Sequence, residues 1–316
     1  MRIQRTSILS LALILVSAVL FPAAATLNVH FIDVGQGDAI LIDCGDWEAL
    51  IDAGPGTRKG NAELLEVLGE CVGDGDLELT VLSHPHADHY GGFVTVFDQY
   101  RVLHLWRSGD LDPDTCGSKY MAFTNAVARE GSRIELVAAG ERLSQGSLVI
   151  TVLSPQGELQ DSRKGDDNDN SLVLLLTFGT IRFLLTGDIQ AEGATALAPL
   201  DLGDDPLVLK VPHHGASNGA GITGISGVDP DVSVISTGNG NRHGHPDESF
   251  VEALAEFGPV FITTCGCSED CFTAVNSRSQ APVYAEAGTI HMWTDGASLW
   301  AEIGNLPAIV LIDGNG

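Results

Sequence analysis

The chain has 316 residues, 44% of them hydrophobic and 18% charged, with a formal net charge of −26. That length suits a single large domain with a substantial core. The acidic balance repels polyanions and leaves no electrostatic footprint for long nucleic acid, although a salty habitat would select the same surface.

The first 25 residues carry a basic start at Arg2 and Arg5, an apolar run from Ile8 to Phe21 and the small residues Ala23-Ala24-Ala25. This pattern predicts a secretory signal peptide over 1–25, cleaved after Ala25, with a short uncleaved anchor as the alternative. Removing the two arginines takes the charge from −26 to −28, leaving one domain over 26–316. No later segment is long and apolar enough to cross a bilayer, so no stable membrane domain is expected after cleavage. The chain is expected to be exported, either periplasmic or extracellular.

Next comes an alternating strand, Leu27 to Asp33, a tight turn Val34-Gly35-Gln36-Gly37-Asp38, and two further strands, Ala39 to Asp43 and Trp47 to Asp52. Leu64, Leu65 and Leu68 share one side of a helix predicted over Asn61 to Cys71. The apolar run Leu77 to Leu82 then delivers Ser83-His84-Pro85-His86-Ala87-Asp88-His89. Neutral imidazole nitrogens and carboxylate oxygens are the ligands of zinc, manganese and iron sites. Such density after a buried strand argues against a plain polar loop. His84 and His86 project alike from a strand end, while Asp88 and His89 open the next turn and address a second position. A helix is predicted from Asp88 to Tyr100, with Gly91-Gly92 packing close to the loop.

Strands at Val102 to Trp106, Arg133 to Val137 and Ser147 to Leu153, with a helix over Ser118 to Arg129, continue an α/β alternation. The polar stretch Ser154 to Ser171 holds Asp166-Asp167-Asn168-Asp169-Asn170, a solvated turn on composition alone. A hairpin of two apolar strands, Leu172 to Phe178 and Ile181 to Leu185, ends in Thr186-Gly187-Asp188. A carboxylate there can give one oxygen to each of two metals, or it can cap a helix over Ile189 to Leu197. Leu207 to Val211 delivers Pro212-His213-His214-Gly215, and Asp231 to Thr237 delivers a loop with Asn241, His243, Gly244, His245 and Pro246, ahead of a helix from Glu248 to Phe257. Seven of the ten histidines thus fall in three loops that each follow a strand, which makes convergence on one site the economical account. The tail, Val283 to Trp300 and Ala308 to Ile312, is expected to close a second sheet.

The H-x-H-x-D-H stretch from His84 to His89 resembles the signature of the metallo-β-lactamase fold superfamily. Asp188 matches that superfamily's bridging aspartate, and Asp33-Val34-Gly35-Gln36-Gly37-Asp38, Asn170-Ser171 and the Asn241 to Pro246 pattern narrow the resemblance to the hydrolase domain of ComEC/Rec2-type competence proteins. It implies a four-layer αββα sandwich with two divalent ions, zinc first and manganese second. One ion falls to His84, His86 and Asp188, the other to Asp88, His89, His214 and Asp188. Asp52 orients the loop in that family. Asp33, Gln36, Asp38 and Asn170 are further support or substrate contacts. His213 and His245 are catalytic candidates for protonating a leaving group, and Asp88 joins them. Where many relatives carry a third-motif histidine ligand this chain shows none, leaving Asn170 or water as the possible substitute.

The resemblance implies a metal-dependent hydrolase, with phosphodiesterase or nuclease chemistry as the leading form. A lactone, thioester or β-lactam hydrolase of the same fold and a non-catalytic secreted binding module are the alternatives. The expected partner is a phosphodiester or another small ester-like substrate, with nucleic acid disfavoured by the charge. Six cysteines in an exported chain make disulfides the default, with a metal at Cys265-Cys267-Cys271 as the alternative.

Overall fold

The structure is a computed structural model, and it describes residues 26–109, 117–156, 168–191, 193–194, 202–218, 227–265 and 281–314. Residues 1–25, where a signal peptide is expected, Asp166, Asp167, part of the helix expected over Ile189 to Leu197, Cys116, Cys267 and Cys271 lie outside the described residues.

The first sheet is built from β1 (Leu27–Phe31), β2 (Ile40–Asp43), β3 (Glu48–Ile51), β4 (Asp76–Leu82), β5 (Arg101–Arg107) and β6 (Arg133–Leu136). Three strands from the far end of the chain, β15 (Ile290–Thr294), β16 (Leu299–Ile303) and β17 (Ile309–Ile312), complete it in the order β17-β16-β15-β1-β2-β3-β4-β5-β6. The second sheet runs β14-β13-β12-β11-β10-β9-β8-β7. Its members are β7 (Arg142–Gln145), β8 (Leu148–Ser154), β9 (Val173–Phe178), β10 (Ile181–Leu185), β11 (Leu207–Lys210), β12 (Val232–Ile235), β13 (Val260–Ile262) and β14 (Val283–Tyr284).

Three apolar clusters define the layers. Side chains of both sheets, among them Val29, Phe31, Ile42, Ile150, Phe183 and Met292, fill the space between them. The outer face of the first sheet packs under α1 (Arg58–Cys71), α2 (Ala87–Tyr90), α3 (Phe93–Phe97) and α4 (Ser118–Glu130), through Leu64, Leu68, Phe93 and Phe123. The outer face of the second sheet packs under α5 (Glu248–Leu254), through Phe250, Val251 and Leu254. The result is the αββα sandwich that the sequence implied, two mixed sheets flanked by helices.

Local chemistry explains the boundaries. Thr57 caps α1 by accepting from the Gly60 amide at 3.1 Å, and Gly131, left-handed at φ 79°, ends α4. Strands β3, β4, β5 and β6 are parallel, as are β10 to β14, so their carboxyl ends share one edge of the sandwich. The loops after β3, β4, β10, β11 and β12 therefore meet there.

Two expectations are corrected. The helix predicted from Asp88 to Tyr100 is two short helices, α2 and α3, divided at Gly91-Gly92. A Cβ on Gly92 would strike the Ala53 carbonyl oxygen, and one on Gly91 would meet the Pro55 backbone, so the chain breaks where it crosses the loop after β3. The tail does not close the second sheet beyond β14. β15 pairs antiparallel with β1, Leu27 opposite Thr294 and Phe31 opposite Ile290, and brings β16 and β17 into the first sheet. β7, with the polar sequence Arg-Leu-Ser-Gln, and the three-residue β13 have no clear signal in the sequence.

Candidate metal centre

The centre begins at Asp52. It leaves β3 in a left-handed conformation, φ 56°, and turns its carboxylate inward. Its Oδ1 accepts from the Ser83 amide at 2.8 Å, and its Oδ2 accepts from the Ser83 hydroxyl at 2.6 Å. The same Oδ2 lies 2.7 Å from His89 Nδ1. A carboxylate can only accept, so this contact puts a proton on Nδ1 and turns Nε2 toward the interior.

His214 is held the same way from the other sheet. It follows β11 in a turn where His213 and His214 are both left-handed, at φ 49° and 55°. Its Nδ1 is 2.9 Å from the Ser236 carbonyl oxygen at the end of β12. His84 lies with Nδ1 3.1 Å from the Ser83 hydroxyl, and its Nε2 has no hydrogen-bond partner.

The three Nε2 atoms converge on Asp188, which follows β10. Asp188 Oδ2 lies 3.2 Å from His89 Nε2, 3.2 Å from His214 Nε2 and 3.9 Å from His84 Nε2. The Asp188 amide donates to Ser171 Oγ at 3.1 Å, which fixes the carboxylate from behind. Asp88 Oδ2 stands 3.6 Å from His214 Nε2 on the more open side, with about a third of its side chain exposed. Possible ligand atoms come together in four groups: His84, His89 and Asp188; Asp88, His89 and His214; Asp38, Asp188 and His214; and Asp38, Asp52 and His89.

Electrostatics reinforce the geometry. Burial alone would lower His89 and His214, but Asp188 beside both, Asp52 beside His89, and Asp38 and Asp88 beside His214 outweigh it and hold them well above the ordinary imidazole range. Burial would likewise raise Asp188, yet the His214 and His89 rings hold it well below the usual carboxylate range. His84 goes the other way, lowered by burial and by its neighbour His89. Thus a dense set of carboxylates is matched by protons on imidazoles, the positive charge that a metal would otherwise bring.

The residues fit a divalent cation on this structure's own terms. His84 Nε2, His214 Nε2, Asp188 Oδ1 and Asp38 Oδ1 are buried atoms of this cluster without a hydrogen-bond partner. Unpaired buried polar atoms are costly, and imidazole nitrogens with carboxylate oxygens are the donor set of zinc and manganese. The locked Nδ1 atoms of His89 and His214 supply the outer hydrogen bonds that orient metal-binding histidines.

The other sequence candidates separate into those at the site and those that frame it. His86 joins none of the four groups; it caps α2, and its ring stands edge-on to His84 with centroids 4.5 Å apart. Of the implied trio His84, His86 and Asp188, the structure brings His84 and Asp188 together with His89, and His86 stands beside them against the His84 ring. Asp38, expected as a support, is 1% exposed and lies inside the cluster, 3.5 Å from His214 Nδ1. Asp33 is outside it, accepting from Gly35 N, Thr264 Oγ1 and lying 3.7 Å from Lys59 Nζ. Gln36 Oε1 accepts from Thr237 Oγ1 at 3.1 Å and Gly238 N at 3.2 Å, tying the β1–β2 turn to the loop after β12. Asn170 is buried in a 3-10 turn directly before Ser171, the acceptor of the Asp188 amide. His213 and His245 have ring centroids 5.8 Å apart, and His245 stacks on the exposed His243 at 5.5 Å. Lys210, fully buried beside Asp38, escaped the sequence reading. Its only signal was a lysine at the end of an apolar strand.

Among the described residues Cys44 and Cys71 are free thiols, which gives the disulfide expectation no support. Burial and then Asp43, Glu70 and Glu48 push Cys71 up to about 11, and its Sγ lies 3.6 Å from His30 Nε2. Cys265 Sγ approaches Glu286 Oε1 at 3.2 Å.

An αββα sandwich with histidines and aspartates gathered at one edge defines a class, and the chain belongs to the Metallo-beta-lactamase superfamily, whose family model matches residues 27–238. Within it the chain is related to competence proteins. It is 30% identical over 243 residues to ComE operon protein 3 of Bacillus subtilis (strain 168), covering 72% of this chain and 30% of that protein. It is 31% identical over 239 residues to Recombination protein 2 of Haemophilus influenzae, covering 73% of this chain and 27% of that protein. The chain therefore spans less than a third of the length of these curated relatives. Among solved structures, the metallo-beta-lactamase fold protein YhfI from Bacillus subtilis superposes with a TM-score of 0.50 over 85% of this chain and all of that one; at 13% identity this concerns the fold alone.

Proposed function

We propose that this protein is an exported, binuclear metal-dependent hydrolase that cleaves phosphodiester bonds. The observation that carries the reading is the approach of three imidazole Nε2 atoms to one Asp188 oxygen, with His89 and His214 held at Nδ1 by Asp52 and by the Ser236 carbonyl. His84, His86, His89, His214, Asp88 and Asp188 would hold two divalent ions, zinc first and manganese second. When bound, such ions supply an activated water and a Lewis acid for the attacked oxygen.

The remaining work belongs to side chains. Asp52 and Ser236 keep the ligand rings from rotating. Asp88 faces the opening and orients the entering substrate. His213 and His245, adjacent and half-buried at the rim, are placed to hand a proton to the leaving oxygen; burial and then His213 and His214 keep His245 down at about 4. Relatedness to competence proteins favours a phosphodiester electrophile, and the net charge of −26 favours a short substrate over a long polyanion.

Reconstituting the mature chain with zinc or manganese and assaying bis-p-nitrophenyl phosphate, nitrocefin and a lactone in parallel tests this. The phosphodiester should turn over fastest, and Asp188→Ala and His84→Ala should each lower its kcat/KM at least 100-fold. Phosphodiester hydrolysis that survives both substitutions would remove the site from the reaction.

A further inference from the structure

Lys210 is the last residue of β11, and its side chain has no exposure at all. A buried ammonium is tolerated only when its hydrogens are taken up and its charge is matched. Here the Asp38 carboxylate contacts Nζ through Oδ2, the Gly187 carbonyl oxygen accepts at 3.3 Å, and Asp188 Oδ1 stands 3.9 Å away. Among the described residues, Asp38, Asp188 and His214 form one of the groups able to gather round a metal. The ammonium sits against both carboxylates of that group.

Asp38 has two oxygens with different employment. Oδ2 belongs to Lys210, and Oδ1 faces His214 Nδ1 at 3.5 Å, beside the Ser236 carbonyl that the same nitrogen reaches. The ring is therefore flanked on its outer nitrogen by Asp38 and Ser236 while its inner nitrogen looks toward Asp188 and Asp88. The ammonium itself is sealed beneath the cluster and reaches no substrate.

We propose that Lys210 is a built-in cation of the metal site: it keeps Asp38 out of the ligand set and holds that carboxylate against the back of His214. Lys210 is thus a positioning residue, acting through Asp38 and His214. It confines divalent ions to the side of the cluster made by His84, His89, His214, Asp88 and Asp188. This rests on the metal reading above for its consequence, although the Lys210–Asp38 pairing itself needs no metal.

The test uses the mature chain and four proteins: wild type, Asp38→Asn, Lys210→Met and the double variant. Melting temperatures are measured after chelation, and metal content and affinity are measured after reconstitution with zinc alone. Each single change should lower the melting temperature of the metal-free protein by on the order of 10 °C, because each strands a buried charge, and the double variant should recover most of that loss. Asp38→Asn should keep the wild-type number of bound ions while binding them about tenfold more weakly, since His214 loses its backing. Loss of a metal equivalent in Asp38→Asn, or losses in melting temperature that simply add, would overturn the proposal. Should a single variant fail to fold, the double variant decides. Folded and loaded with the wild-type number of ions, it supports the assignment; folded but one ion short, or unfolded, it contradicts it. Wild-type protein that binds no metal defeats the hydrolase reading, whereas additive melting losses defeat the Lys210–Asp38 pairing, so the two failures read out separately.

Discussion

At Asp52 one side chain sets the geometry of two ligand-bearing positions, since it accepts from both donors of Ser83 and from His89. Asp52→Asn keeps the shape but puts a donor where His89 needs an acceptor, so metal affinity measured by chelator competition should fall about 10- to 100-fold with the fold intact. The ligand candidates on either side were legible because histidines and aspartates at strand ends announce their chemistry. Lys210 and the true place of Asp38 were not, because a lone lysine and a turn aspartate look the same whether they are solvated or buried in an ion pair.

A second residue-scale consequence lies far from the metal centre. His30 and His291 stack with ring centroids 4.3 Å apart, and burial, then His291, lowers His30 to about 4. An unfolded histidine titrates near 6.5. Below that value the unfolded chain binds the proton first, so the contribution of neutral His30 is intact above pH 6.5 and is lost as pH falls toward 4. The loss amounts to at most about 3 kcal/mol. Chemical denaturation at pH 7 and pH 5 should show the decline, and His30→Gln should flatten it; an unchanged slope would mean His30 is charged in the folded protein.

Among the elements, the pair α2 and α3 shows how packing overrides a helical pattern. Apolar spacing carried the prediction straight through Gly91-Gly92, but the loop after β3 passes too close for a Cβ at either position. Gly92→Ala should therefore cost on the order of 3 kcal/mol in urea denaturation and displace His89 from the cluster, seen as lost metal affinity, whereas Gly73→Ala, where a Cβ meets open space, should change neither. Strand positions were readable from alternation and apolar runs. Sheet membership was not: β15, β16 and β17 alternate as any half-buried strands do, and only the pairing of β15 with β1 shows which sheet they join.

For the whole molecule, the sandwich brings the carboxyl ends of β3, β4, β10, β11 and β12 to one edge, which is why residues from Asp52 to His214 can meet. No helix among the described residues is long and apolar enough to cross a membrane. The formal charge of −26 predicts a kinetic signature. Hydrolysis of long DNA should rise between 20 and 150 mM salt, roughly as the Debye length shrinks toward 8 Å, while a small diester with a single negative charge should respond much less. Long DNA cleaved best at the lowest salt would contradict that electrostatic reading.

If the atoms around Asp188 are a cation site, the purified mature chain must carry metal there. Mass-spectrometric analysis should find about two zinc or manganese ions per wild-type chain and fewer than one in Asp188→Ala. One ion or none in the wild type after reconstitution, or the same content in both proteins, would contradict the account.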